Sequence, residues 1–363
     1  MKSKKRILVI SNLFPSEKDP SYGTFVALFT HELQGYSMHY KTDLCVIKGR
    51  TTSKICKLLK YFWFYSSITL HILFHHYALI YVHYITYSSI PLLFLSKIKK
   101  LNIVFNIHGD DLLTKSKVAE NVLQAVHKLL INSKLVVVPS EFFKDILIDK
   151  FKDIRLQNIF VSPSGGIEKS FYNEMIAPVQ SPFTIGYVSR IDTGKGWDIL
   201  LRAIQDIYKE HPIQVKIAGT GRQVEELKHL ISTLNLSHIV TYYGALSHAE
   251  LPQFYTNLTL FVFPTTLKES LGLVGLEAMA ASKPVIGSAI GGLKSYIKDG
   301  YNGFLIPPGN SRRMGECIVN YINLPDERKL EMNRNAFKTA QLYQSNIVIK
   351  KLIERLIQCI DQA

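Results

Sequence analysis

The sequence predicts an α/β protein built from two successive doubly wound parallel-sheet domains that face a cleft. Three observations carry this reading. Short β-branched apolar runs alternate with helix-length segments, the pattern of strands covered on both faces. At 363 residues the chain exceeds what one hydrophobic core organises, and its 47% apolar content is enough to fill two. A stretch with two prolines and no apolar period, residues 174–182 (EMIAPVQSP), separates the runs into two sets.

The first half gives the strands RILVI, TDLCVI, ALIYVHY, NIVFNI, KLVVVPS and NIFVSPS, and the second half FTIGYVS, QVKIAG, IVTYYG, LTLFVFP and KPVIGS. The opening MKSKKRILVISNLF has a basic start, but its β-branched run leads directly into a turn-rich segment, so it reads as a buried strand rather than a signal peptide. Residues 61–96 are uncharged over a length that would span a bilayer. They contain four histidines and Pro91, however, and divide into helix, strand (78–84) and helix, as a βα unit would. The four cysteines, Cys45, Cys56, Cys317 and Cys359, form no CxxC pair, which suggests neither a zinc site nor a disulfide framework and fits a reducing cytoplasm.

The net charge of +14 is uneven: residues 1–180 carry 23 Lys and Arg against 13 Asp and Glu, and the remainder 20 against 16. Residues 41–100 hold nine Lys and Arg and one acid, Asp43, together with the aromatic run Tyr61, Phe62, Trp63, Phe64, Tyr65. Basic residues beside clustered aromatics suit an anionic surface, membrane or nucleic acid. The same residues would also serve a helix packed on its own sheet with solvated lysines. The expectation adopted is peripheral docking of the first domain on the inner face of a membrane through Lys54, Lys57, Lys60, Trp63 and Phe64, with no nucleic-acid partner.

In open parallel sheets ligands sit beyond the carboxyl ends of the strands, so loops that follow strands hold the candidate chemistry. After LTLFVFP comes Glu269-Ser-Leu-Gly-Leu-Val-Gly-Leu-Glu277, where a loop presents one carboxylate, Gly272 permits close backbone approach, and a helix start offers free N–H groups to an anion. Glu277, two turns beyond Glu269 at 3.6 residues per turn, suits ribose hydroxyls, and Glu269 those of a transferred sugar. Acids at a helix start are also favoured by the dipole alone. After FTIGYV, Arg190 and Lys195 lie in a Gly-containing loop suited to a diphosphate, where two cations would do the work otherwise given to magnesium.

After NIVFNI, His108 is placed to address a sugar hydroxyl and Gly109 to let the backbone approach. The loop 11–24 ends in Ser21-Tyr22-Gly23-Thr24, where Gly23 serves either ligand approach or turn chemistry. Gly219-Thr-Gly221 after QVKIA is a fragment of a dinucleotide-binding pattern; no complete GxGxxG follows the first strand and no GxxxxGK[ST] occurs.

Taken together, these segments resemble the retaining GT-B glycosyltransferases of the family 4 group, which carry an E-x7-E motif. ESLGLVGLEAMAASKPVIGSAIGG followed by KDGYNGFLIPPGN is similar to the donor-site signature, and SRIDTGKGWDILLRAI, AGTGRQVEELKHL, YYGALSHAELPQFY, VSPSGGI and NIHGDD fall in the family's order. The resemblance implies that Arg190 and Lys195 bind the donor diphosphate, and that Glu269 contacts sugar hydroxyls. It implies further that the backbone of Gly272, Leu273 and Val274 offers amides, that Glu277 binds ribose, and that His108 lies near the reacting sugar. Gly23 and Gly219 would belong to donor-side loops. It also implies domains at 1–177 and 178–342, with a last helix, 343–363, returning to the first domain. Two positions depart from the pattern: Ser282 stands for a helix-ending glycine and Ser295 for a glutamate after the Gly pair.

The expected activity is therefore metal-independent, retaining transfer of a sugar from a UDP- or GDP-linked donor to a glycan or lipid-linked acceptor in bacterial cell-surface polysaccharide biosynthesis, with no cofactor. A nucleotide-sugar epimerase or phosphorylase on the same scaffold, or a non-enzymatic membrane-surface partner, are the competing readings.

Overall fold

The structure, a computed structural model, describes residues 4–19, 22–36, 40–51, 53–114, 116–174 and 182–361. It consists of two compact units, Met1–Gly165 with Val348–Ala363, and Gly166–Ile347. The boundary expected at 177, like Ser21, lies outside the described residues, and so does the expected linker apart from Glu174 and Pro182. The chain leaves the first unit earlier than expected because residues 167–173 pack with the second: Ile167 N–H donates to Tyr343 O at 2.7 Å and Phe171 is buried beside Tyr255. The same pairing, continued by Ser345 N–H on Ile167 O, carries the second unit a few residues past 342.

The first unit holds β1 (Lys5–Phe14), β2 (Tyr40–Lys48), β3 (Leu79–His83), β4 (Ile103–Asn106), β5 (Leu135–Val138) and β6 (Ile159–Val161), all parallel in the order β2-β1-β3-β4-β5-β6. The second holds β7 (Phe183–Val188), β8 (Ile213–Ala218), β9 (Val240–Tyr242), β10 (Leu260–Phe263), β11 (Val285–Ser288) and β12 (Gly303–Ile306), parallel in the order β12-β11-β10-β7-β8-β9. Strand order reverses between β1 and β3 in one sheet and between β7 and β10 in the other. Loops diverge there and leave a crevice at the strand ends.

Two elements differ from the sequence reading. β1 runs on past an irregularity after Ser11 to pair Phe14 with Lys48, so the expected 11–24 loop is shorter. β12 was not expected: GFLI is short and bounded by turn residues, and Gly303 packs so closely that a Cβ there would lie 2.0 Å from Val285 O.

Alternation sends Leu8 and Ile10 to one face of the first sheet and Ile7 and Val9 to the other. Helix α2 (Lys54–Phe74), capped by the Ser53 hydroxyl on Cys56 N–H, covers the first face with Phe64, Ile68 and Ile72 at i+4 spacing. Helix α1 (Thr24–Gly35) covers the second with Phe29 and Leu33, alongside Leu352, Ile353 and Leu356 of the terminal helix Ser345–Asp361. No described helix is long and apolar enough to cross a membrane.

Candidate functional site

In the second unit the candidate residues gather where the strand order reverses. The loop after β7 places Lys195 between two left-handed glycines, Gly194 (φ 83°) and Gly196 (φ 81°). A Cβ on Gly196 would lie 2.1 Å from Pro264 O, so only glycine lets this loop meet the one after β10. Thr266 N–H donates to Gly194 O at 2.8 Å and fastens the two together. Across this seam Lys195 Nζ donates to Glu269 Oε1 at 2.7 Å, and Thr265 Oγ1 donates to the same oxygen at 2.9 Å. Lys195 is buried to 9% exposure, directly against its Glu269 partner.

Arg190 is mostly solvent-exposed and its guanidinium pairs with Asp192 at 3.3 Å. Asp192 also accepts Arg222 N–H at 2.9 Å, the contact that chiefly holds its carboxyl below the usual range. Gly219, on the neighbouring strand end, has φ 136°, and a Cβ there would lie 1.8 Å from Ser189 O; it serves loop packing.

Gly272 (φ 81°) is the N-cap of the helix Leu273–Ala280, and Tyr296 OH donates to its carbonyl at 2.9 Å. Leu273 and Val274 open the first turn, where N–H groups have no acceptor within the helix. The helix starts at Leu273, so Glu269 lies in the preceding loop, as expected, and the spacing to Glu277 is helical only from Leu273 onward rather than over two full turns. Glu277 is buried at 9% exposure and accepts Tyr255 OH at 2.8 Å. Burial pushes its carboxyl up to about 7, with Tyr255 opposing the shift and Glu168 adding to it. Ser295 Oγ donates to Gly292 O, and Gly292 N–H to Glu269 O, so the Gly pair supports the Glu269 backbone.

In the first unit His108 follows β4. Its backbone N–H donates to Asp111 Oδ2 at 2.9 Å, and Thr86 Oγ1 donates to the other oxygen at 3.2 Å. The ring stacks on Tyr84 (4.3 Å between centroids) and lies 4.9 Å from Phe25. His83 Nδ1, at the end of β3, is 3.2 Å from His108 Nε2. Burial lowers the His108 imidazole to about 3; His83 is held well below its ordinary value by burial and then by His108. Both rings are neutral at pH 7, so one donates to the other. Burial raises the Asp111 carboxyl to about 7. Gly23 (φ 73°) is the N-cap of α1, and a Cβ there would meet Leu13 C at 2.7 Å, so turn geometry alone already requires glycine.

Sequence reasoning passed over His83, Arg222, Thr265 and Tyr255. Arg222 follows a strand as His108 and Arg190 do, a usable signal, and His83 closes the strand β3 itself. Thr265 follows β10 and stands four residues before Glu269, so it carries the same signal, whereas Tyr255 carries none, since it is 22 positions from Glu277 and meets it only in the fold. Among the described residues no group of three His, Cys, Asp or Glu is placed to hold a metal ion.

Residues 171–339 match the family described as glycosyl transferases group 1. An uncharacterised glycosyltransferase of Methanocaldococcus jannaschii is 31% identical over 229 residues, 62% of this chain and 60% of that protein. The capsular polysaccharide biosynthesis glycosyltransferase CapM of Staphylococcus aureus is 29% identical over 175 residues, 47% of this chain and 44% of that protein. The chain thus spans less than two thirds of the length of these curated relatives. The crystal structure of Anabaena HepE in complex with UDP and glucose superposes with a TM-score of 0.74 at 19% identity, covering 98% of this chain and all of that one. That likeness shows the fold, two doubly wound α/β domains of the GT-B type.

Proposed function

We propose that the chain is a retaining glycosyltransferase that moves a sugar from a UDP- or GDP-linked donor to a glycan or lipid-linked acceptor without a metal ion. The acceptor would belong to a bacterial surface polysaccharide, and the protein would work in the cytoplasm on the inner face of the cell membrane. The Lys195–Glu269 pair at the reversal point of the second sheet carries this reading. An entering diphosphate would take Lys195 as a counter-ion, with Arg190 joining it, and leave Glu269 to accept hydrogen bonds from the sugar. The open first turn at Leu273 and Val274 suits the same anion.

Glu277, buried with a hydroxyl partner, has acceptor capacity for ribose, whose donors would stabilise its ionised form. In the first unit His108 would exchange a hydrogen bond with a sugar hydroxyl as a neutral imidazole. The match of residues 171–339 to group 1 glycosyl transferases supports the reaction class, and likeness to a capsular enzyme supports the polysaccharide context.

The test is mass spectrometry of products from a panel of nucleotide sugars offered with lipid-linked oligosaccharides in excess EDTA. Transfer is expected to persist, and Lys195→Ala and Arg190→Ala each to reduce turnover by about a hundredfold or more. Conversion of donor without acceptor, or rescue of a chelated enzyme by manganese, would overturn the assignment.

A further inference from the structure

The proposed lipid-linked acceptor raises the question of how the chain meets a lipid surface, and this inference rests on that reading. α2 is 21 residues long and buries only one stripe, Phe64, Ile68 and Ile72. Its outer side carries Ile55, Leu58, Phe62, Trp63, Leu70 and Phe74, each between 54% and 74% exposed. The neighbouring helix Ile90–Leu95, packed beside α2, extends this surface with exposed Phe94, and Ile98 follows. An apolar surface of this extent on one side of one unit calls for a partner.

Charge selects the partner. No acidic residue occurs between Asp43 and Asp110. Lys54 and Lys57 stand exposed at one end of α2, and Lys97 and Lys100 near the other. A second copy of this chain would bring the same acid-free surface and no counter-charge, whereas anionic headgroups supply it. α2 also fails to qualify as a membrane-crossing helix.

We propose that α2 lies in the plane of an anionic bilayer, its outer side sunk into the acyl boundary and its lysine clusters on headgroups at both ends. Two residues expected to take part are withdrawn by the structure. Phe64 faces the sheet, and Lys60 Nζ donates to Lys48 O at 2.8 Å and Gly49 O at 2.9 Å. With the lysines reduced and the exposed apolar side enlarged, insertion rather than charge dominates attachment.

Vesicle sedimentation with phosphatidylcholine, with and without phosphatidylglycerol, tests this alongside tryptophan emission. The chain has two tryptophans, and Trp197 is buried, so a blue shift on binding reports Trp63. Phe62→Glu with Trp63→Glu is expected to reduce partitioning at least about tenfold, and Leu70→Glu with Phe74→Glu to do the same from two turns away. Lys54→Glu with Lys57→Glu should cost on the order of tenfold on anionic vesicles and little on neutral ones. Part of the wild-type binding should survive high salt, where the screening length is about 3 Å.

Binding abolished by salt yet untouched by both apolar pairs would overturn the proposal. So would a dimer that those pairs dissolve, without vesicle binding. Lys195→Ala should bind vesicles as the wild type does although it loses transfer, and a wild-type protein that binds vesicles yet transfers no sugar counts against the enzymatic reading alone.

Discussion

A buried carboxyl records what it lacks. Glu277 has one hydroxyl partner, Tyr255, and almost no water, so its proton is held to about 7 against an ordinary 4.5. Between those values the folded state holds more protons than the unfolded, and stability therefore falls as pH rises through the window. Glu277→Gln keeps an acceptor for Tyr255 and removes the titration. Urea unfolding should show the wild type losing on the order of 2 kcal/mol more than Glu277→Gln between about pH 5 and pH 8. Comparing the two proteins cancels the similarly raised Asp111. An equal loss in both would refute the buried-carboxyl account. At this scale the sequence made Glu269 and Lys195 legible because each stands in a loop after a strand, and Glu277 because it lies in the helix that follows such a loop. It did not reveal that Lys195 and Glu269 are bonded: they are 74 positions apart, and only the adjacency of β7 and β10 joins them.

Elements were legible where apolar runs are long and bounded by clear turns, as β1, β3 and β10 are. β12 escaped because its four residues begin with glycine, which lowers strand propensity but is needed for close pairing with β11. A similar conflict stands at the end of the helix Leu273–Ala280. Ser282 occupies the left-handed conformation (φ 61°) that glycine normally takes, and Lys283 N–H reaches back to Ala278 O at 2.9 Å to close the turn. The strain costs about 1–2 kcal/mol. Against it, Ser282 Oγ donates to Asn173 O at 2.9 Å, worth about 1 kcal/mol. Ser282→Ala keeps the strain and loses the bond, so it should destabilise by about 1 kcal/mol. Ser282→Gly loses the bond and the strain together, and should lie closer to the wild type. Thermal melts in which alanine matches serine would remove the hydrogen bond from the account.

At the scale of the whole molecule, chain order and folding units do not coincide. The first unit is completed only by the end of the chain, Val348–Ala363, after the second has been made. The terminal helix buries Val348, Ile349, Leu352, Ile353, Leu356, Cys359 and Ile360. Most of these join Ile7, Val9, Leu79 and Tyr81 on one face of the first sheet. At roughly 1.5–3 kcal/mol for each fully buried aliphatic side chain, the helix contributes on the order of 10 kcal/mol, about the whole net stability of a domain. The second unit has its own cores on both faces of its sheet, none of which uses the segment after Tyr343. Truncation after Ile347 should therefore unfold the first unit and spare the second. Calorimetry of the truncated chain should show the second unit's transition alone, and hydrogen exchange should show protection kept in β7, β8 and β10 but lost in β1, β3 and β4. Retained protection in β1 would mean that the first sheet closes its core without the returning helix.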